Sequence, residues 1–333
     1  MNLAKQALNN LGASFSRDDL YHETLLLYRR ALGIRDDVWQ RTEPQDPDRE
    51  ENAYEAAEGH ANMAALMMDL GRPRQAGPHF DRAINIMVGE FGEGHERNAR
   101  WLVMRGSALR ALGNYPYAAL DVDRALGIYR EIVRTAPPAV GGALANLGSI
   151  AAEWVDEDST LTAERRMQLH EMAGGSLETA LDGSEQMYGE EHPMTGGLLR
   201  ALGAVREAQG AAAEARGYLE RAEACRRLNL RGTDAEAAVA IDRAAQLLVD
   251  WGLWDEAQAY LERALAIRED VLGDQNFDTS SSLLKLAVRF QLTGRDGQAR
   301  QHLEWALVVR VNICGETHPA TDMVRENLRL LEG

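Results

Sequence analysis

The chain has 333 residues, of which 45% are hydrophobic and 26% are charged, so it can bury a large core. Its formal net charge is −16, and an acidic surface repels nucleic-acid phosphates and anionic lipids. We therefore expect neither nucleic acid nor a membrane as its main partner. Two cysteines, Cys225 and Cys314, are typical of small packing residues in a reducing compartment. The sequence has no N-terminal signal core and no apolar run of about 18 residues, so we expect a cytoplasmic protein.

A spacing of 42 residues recurs along the chain. Gly71 and Gly113 are 42 residues apart, and Gly210, Gly252 and Gly294 follow one another at the same distance. A fixed period of this length is typical of a stack of copies of one supersecondary unit. Seven units are marked by the small residue at the centre of their first helix, namely Gly12, Ala64, Gly106, Gly148, Gly203, Ala245 and Ala287. Two longer gaps in this series predict insertions near residues 41–51 and 154–168.

The sixth unit shows what each copy contains. Apolar residues recur at helical spacing from Ile241 to Leu248 and again from Ala257 to Leu265. Gly252 lies between the two segments and suits the left-handed position that follows a helix. Alanine, leucine, glutamate and arginine dominate the composition, which favours helix throughout. The sequence therefore predicts an all-α fold built from antiparallel helix pairs.

Several segments depart from the regular pattern. The fifth unit has Glu223 where other units have leucine or isoleucine. The insertion in the fourth unit is either a longer helix pair with an acidic loop or a partner or self-association surface, since it adds Trp154, Met167, Leu169 and Met172. Residues 320–332 form a lone amphipathic segment, which predicts a helix that caps the last repeat. We expect a single domain over residues 1–333.

The order of a small residue, a turn glycine and two alanines resembles the tetratricopeptide repeat. Second helices end alike, as in Arg82–Ile86 and Arg263–Ile267. The loops Gly189–Pro193 and Gly315–Pro319 are similar to the Gly, acidic, His-Pro loop of the kinesin light chain class, which has the same 42-residue repeat. The resemblance implies a right-handed superhelical solenoid of about seven antiparallel helix pairs plus a C-terminal capping helix.

The resemblance also implies a binding surface. In this family the first helices line a concave groove, where asparagines hold the backbone of an extended peptide. Basic side chains on or near the same face can pair with carboxylates of a partner. The candidate peptide-binding residues are Asn9, Asn10, Asn62, Arg100, Asn146, Arg200, Arg243 and Lys285.

The histidines and the short motifs of the sequence do not indicate a metal site or an active site. His95, His192 and His318 occupy equivalent loops of separate repeats, so they cannot converge on one metal ion, and a role in loop structure is the better account. His60 and His79 belong to one unit without a recognisable ligand spacing. The sequence has no phosphate loop, dinucleotide fingerprint or nucleophile elbow. We therefore expect no metal, no cofactor and no catalytic residues.

Three functional hypotheses follow. The leading one is a non-catalytic adaptor or scaffold that holds a protein or peptide segment in the concave groove. The second is a regulatory receptor whose superhelix responds to a small peptide or metabolite, and the third is an unrecognised enzyme with an active site assembled in the groove. A homo-oligomer could form through the insertion of the fourth unit or through the uncapped N-terminus.

Overall fold

The computed structural model describes residues 21–132, 138–250 and 252–331. Within them the chain forms fourteen α-helices and no β-strand. In chain order they are α1 (Tyr21–Arg41), α2 (Arg49–Asp69), α3 (Pro73–Phe91), α4 (Glu96–Ala111), α5 (Tyr115–Ile132), α6 (Pro138–Glu157), α7 (Ala163–Tyr188), α8 (Pro193–Ala208), α9 (Ala212–Asn229), α10 (Ala235–Asp250), α11 (Trp254–Leu272), α12 (Phe277–Leu292), α13 (Asp296–Cys314) and α14 (Pro319–Leu330). The prediction of an all-α fold is confirmed.

The helices follow the spacing of the sequence. The second helices α9, α11 and α13 begin at Ala212, Trp254 and Asp296, which are 42 residues apart. The paired helices α2 and α3, α6 and α7, α8 and α9, α10 and α11, and α12 and α13 pack against each other. Helix α1 occupies the position of a second helix in the first repeat. The repeat is therefore a helix hairpin, as the sequence predicts.

The chain divides into two compact units. The first unit holds the described residues up to Leu112 and those from Gln275 onward, and the second unit holds Gly113–Asp274. In the first unit, helices α1 to α4 pack in succession, as do α12 to α14, and α14 also packs against α1. In the second unit, α5 to α9 pack in succession, while α10 packs against both α8 and α11.

The C-terminal helix α14 is bonded to the second repeat through Arg72. Arg72, which precedes α3, is buried, and its Nη1 lies 3.2 Å from a carboxylate oxygen of Glu326. Its Nη2 donates to Oδ1 of Asn327 at 3.4 Å, and Asn327 is fully buried. The capping helix is thus held within the first unit by a residue of the second repeat as well as by the last repeat.

The two insertions lengthen helices and add short loops. Helix α2 has 21 residues and α6 has 20, whereas α8 has 16. Helix α7 has 26 residues, and in it Leu169 is buried. Trp154 donates through Nε1 to Asp158 at 3.3 Å and lies under the guanidinium of Arg165. Because only Met167 of the added apolar residues is largely exposed, this region fits a longer helix pair with a loop.

Histidines begin three of the helices. The Nδ1 atom of His95 accepts from the backbone N–H of Arg97 at 3.2 Å, and His192 and His318 accept from the second residue after them in the same way. Asn276 does this through Oδ1 before α12, where the His-Pro pair is missing. These side chains satisfy backbone donors that a helix start leaves open. The expected role in loop structure is confirmed.

Small residues allow the helices of the fourth repeat to pack closely. A Cβ atom at Gly148 of α6 would lie 2.5 Å from Cγ of Leu177 and 3.1 Å from the backbone oxygen of Ala173. Both residues belong to α7 and are fully buried. At the turn of the fifth repeat, Gly210 has a φ of 79°, which glycine adopts at little cost.

Candidate functional site

Helix α9 of the fifth repeat buries few residues for a second helix. Only Ala215, Ala222 and Cys225 are buried on it, whereas the corresponding helix α11 buries nine residues. At the positions where α11 has Trp254, Leu261 and Leu265, all buried, the fifth repeat has Ala212, Leu219 and Glu223. Leu219 is 38% exposed. The smaller and charged side chains therefore leave open a face that is covered in the sixth repeat.

A groove of about 640 Å³ runs along this face. Its lining residues are Glu207, Ala212, Ala215, Arg216, Leu219, Glu220, Glu223, Ala224 and Arg227. The alanines and Leu219 form an apolar floor, and the charged side chains form its rim. We call this surface the α9 groove. It follows the whole length of a second helix and lies within the second unit.

Some charged side chains on the rim already form ion pairs with each other. The Glu223 carboxylate accepts from Nε of Arg227 at 2.9 Å and from Nε of Arg226 at 3.0 Å, and these bonds lower the pKa of Glu223. Glu207, Arg216 and Glu220 have no ion-pair partner among the residues that the structure describes. Two carboxylates and one guanidinium are therefore available to a partner along the groove.

The predicted site residues of the second unit lie elsewhere. Asn146 is fully buried and donates to the backbone oxygen of Gly142 at 3.2 Å and to that of Asp250 at 3.5 Å. It is therefore inaccessible to a partner in this structure. Nε of Arg200 lies 3.2 Å from the carboxylate of Glu256. Burial raises the pKa of Glu256, while the charge of Arg200 opposes that shift.

The remaining predicted residues are distributed over both units. Arg243 is exposed on α10 of the second unit. In the first unit, Arg100 is exposed on α4, while Asn62 on α2 and Lys285 on α12 are half-buried. Asn9 and Asn10 lie outside the described residues. None of the described members lines the α9 groove. The sequence signal for that groove is Glu223, the charged residue at a position that is apolar in other repeats.

A second cavity lies in the first unit, among α1, α2 and α3. It has a volume of about 380 Å³. Nε2 of His60 lies 3.2 Å from both carboxylate oxygens of Asp36, and Nδ1 of His60 lies 3.0 Å from Nδ1 of His79. Burial lowers the pKa of His79 below its ordinary value of 6.5, and the charges of His60 and Arg29 add to the shift, whereas Asp36 opposes it.

We expect acid to destabilise the fold partly through His79. Because the folded state binds this proton more weakly than the unfolded chain, the stabilising contribution is present above pH 6.5 and is lost as the pH falls through the lowered pKa. The variant His79→Gln should lose less unfolding free energy than the wild type between about pH 7.5 and about pH 5.5. Urea denaturation at both pH values measures this difference, and an equal loss in the two proteins would contradict it.

The fold and the surfaces described above define an α-helical repeat protein. The family model of the tetratricopeptide repeat matches residues 55–131 and 236–310. These two stretches of the chain are tetratricopeptide repeats, and the prediction of this repeat is confirmed there. No curated protein sequence matches it. Among the described helices, none combines the length and the apolar character needed to cross a membrane.

Solved structures with low sequence identity are similar to this chain, and RapI among them has a TM-score above 0.5. The apo form of RapI is 16% identical, with 93% of this chain and 98% of that chain covered and a TM-score of 0.53. A tetratricopeptide repeat protein from Parabacteroides merdae is 14% identical over 99% of this chain and 100% of that chain, with a TM-score of 0.45. A Rap protein complexed with competence and sporulation factor is 14% identical over 98% and 97%, with a TM-score of 0.43.

Proposed function

We propose that this protein is a non-catalytic scaffold that holds a segment of a partner protein, and that the α9 groove is its binding surface. The supporting observation is the open face of α9, which has an apolar floor where the sixth repeat buries Trp254, Leu261 and Leu265. An exposed apolar groove with a charged rim is a common docking surface for an amphipathic helix. A cytoplasmic location belongs to the same proposal, and the two free cysteines agree with it.

The charges favour a partner segment with basic residues beside its apolar stripe. Of the uncommitted rim side chains, Glu207 and Glu220 are acidic and Arg216 is basic. The net charge of −16 would also steer a basic segment toward the protein. Helix α9 has 18 residues, so a partner helix of similar length would cover the groove. Such a segment differs from the extended peptide that the concave-groove hypothesis predicts.

Closing the α9 groove should weaken the binding of a partner segment. The variant Ala212→Trp places in the fifth repeat the side chain that Trp254 supplies in the sixth, so it fills the groove. We expect the affinity for an amphipathic peptide with basic flanks to fall at least about tenfold, which is a loss of about 1.4 kcal/mol of binding free energy. The probe is a labelled helical peptide with leucines at helical spacing and flanking arginines, measured by fluorescence polarisation.

Ala213→Trp is the matched control, because Ala213 is exposed on the same helix and does not line the groove. It should bind the peptide like the wild type. Charge reversal in Glu220→Lys should weaken binding of the peptide with basic flanks and strengthen binding of a peptide with acidic flanks. Equal affinities of wild type and Ala212→Trp would reject the α9 groove, and so would equal losses in the Ala212 and Ala213 variants.

The face of the first helices remains a second proposed surface. On α10, Arg243 lies between Val239 and Leu247, each of which is 44% exposed. An arginine flanked by exposed apolar side chains suits a peptide that carries a carboxylate next to an apolar residue. Arg243→Ala would separate the two surfaces, since it leaves the α9 groove unchanged.

A further inference from the structure

The cavity of the first unit has a divided lining. Leu32 of α1 and Met63 and Met67 of α2 are buried and supply an apolar wall. The polar members of the lining are Arg29, Asp36, His60, Gln75 and His79. A volume of about 380 Å³ is at the small end of ligand sites in proteins. The cavity therefore has room for a small molecule with one polar end.

The hydrogen bonds fix where the histidine protons lie. The Asp36 carboxylate can only accept, so Nε2 of His60, 3.2 Å away, carries a proton. In neutral His60 the other nitrogen, Nδ1, then carries no proton. It accepts a hydrogen bond from Nδ1–H of His79, and the two nitrogens are 3.0 Å apart. Nε2 of His79 is left with a lone pair, and it has no hydrogen-bond partner among the described residues. Asp36 thus sets the tautomer of both rings.

The charges around His79 are arranged for an incoming anion that arrives with a proton. Arg29 of α1 lines the cavity, is exposed and has no ion-pair partner within the part of the chain that the structure describes. Asp36, on the same helix, already faces His60, and Gln75 on α3 is neutral. Protonated His79 and Arg29 would together present two cationic donors to one carboxylate. Bringing in the carboxylate with its proton leaves the net charge of the cavity unchanged.

We propose that this cavity binds a small organic acid with a short apolar chain, whose carboxylate pairs with Arg29 and with a proton taken up on Nε2 of His79. The chain would lie against Leu32, Met63 and Met67. No bond is made or broken, and the proton comes from the acid or from water. Among the described residues, no group of three or more His, Cys, Asp or Glu side chains is arranged for a metal ion. The proposal concerns the first unit and is independent of the α9 groove.

Hexanoate is the probe, and isothermal titration calorimetry in buffers of different ionisation enthalpy measures both its affinity and its proton uptake. We expect binding to be about tenfold tighter near pH 6 than near pH 7.5, with about one proton taken up per hexanoate at the higher pH. Hexanamide, which has the same chain without the charge, should not bind. A short peptide with a free C-terminal leucine tests the second source of such a carboxylate.

Glycine variants test the location without removing a polar group. A side chain at Gly33 would project into the cavity, because Gly33 lines it and a Cβ there meets no atom within 4 Å. Gly33→Leu should therefore abolish hexanoate binding. Gly77→Leu is the matched control, since its Cβ also meets no atom within 4 Å and Gly77 does not line the cavity. It should bind hexanoate like the wild type.

Two further variants test the chemistry. Arg29→Gln should weaken binding about tenfold, and His79→Gln should remove the proton uptake. Binding of the peptide alone would assign the carboxylate to a chain end, and binding of hexanoate alone would assign it to a free acid. Equal binding of hexanoate and hexanamide, full binding by Gly33→Leu, or no binding of either carboxylate would each overturn the proposal.

Discussion

Replacing Gly148 by alanine should lower the free energy of unfolding by about 1–3 kcal/mol, because the added methyl group overpacks the fourth repeat. The new Cβ would lie 2.5 Å from Cγ of Leu177 and 3.1 Å from the backbone oxygen of Ala173. Leu177 is fully buried and has no free space to move into, and a backbone atom yields only if the helices separate. Urea denaturation of the purified variant measures the loss.

Gly203→Ala is the matched control for this prediction. A Cβ at Gly203 would lie 2.7 Å from Cγ and from Cδ2 of Leu219, which is also closer than atoms normally approach. Leu219 is 38% exposed at the α9 groove, however, so its side chain can turn away into open space. Replacing glycine by alanine in a helix adds about 0.5–1 kcal/mol of stability, which offsets the cost of moving Leu219. We therefore expect a net change near zero in the free energy of unfolding. Equal losses in the two variants would show that the openness of the groove has no energetic effect.

Arg72→Ala should loosen helix α14 within the first unit. The Arg72 side chain is 3% exposed and bonds to Asn327, which is fully buried, whereas Glu326 is half-exposed and adds little after screening. Loss of the donor leaves Oδ1 of Asn327 unsatisfied, which costs about 1–3 kcal/mol. Hydrogen exchange of the α14 amides should therefore accelerate about tenfold or more. Mass spectrometry of α14 peptides measures the rate.

The control for Arg72 is Arg74→Ala, which removes an exposed arginine two residues away. A second variant, Arg72→Met, keeps most of the side-chain volume without the charge. Burial lowers the pKa of Arg72, so its charge is desolvated in the folded state, and methionine should be better tolerated than alanine. Exchange rates in α14 that match the wild type in Arg72→Ala would show that the bond from Arg72 does not hold this helix in place.

The period of the sequence predicts the helices well, because each repeat is a local unit. The turn glycines, the small residues such as Gly148 and the capping histidines all act within one hairpin or between neighbouring hairpins. The bond between Arg72 and Asn327 joins residues 255 positions apart, and no periodic pattern records such a contact. The packing of α14 against α1 therefore cannot be predicted from the period.

The candidate site was harder to predict for a related reason. A sequence motif places Asn146 on a first helix. The burial of Asn146 depends on how closely the end of α10 approaches it, and the motif carries no information about that distance. Glu223 was visible as an irregular residue, but the open face also needs Ala212 at the position of Trp254. The cluster of Asp36, His60 and His79 has no recognisable spacing in the sequence, because Asp36 comes from the repeat before the two histidines.

The residues that start the helices give the loops between repeats unequal chemistry. His95, His192 and His318 each accept a hydrogen bond from a backbone N–H through the lone pair of Nδ1. Asn276 serves the same purpose with an amide oxygen that does not titrate. Repeats that look interchangeable by spacing therefore differ at their helix starts. Burial lowers the pKa of His192, so the start of α8 stays held as the pH falls below 6.5, and the start of α12 has no titratable acceptor.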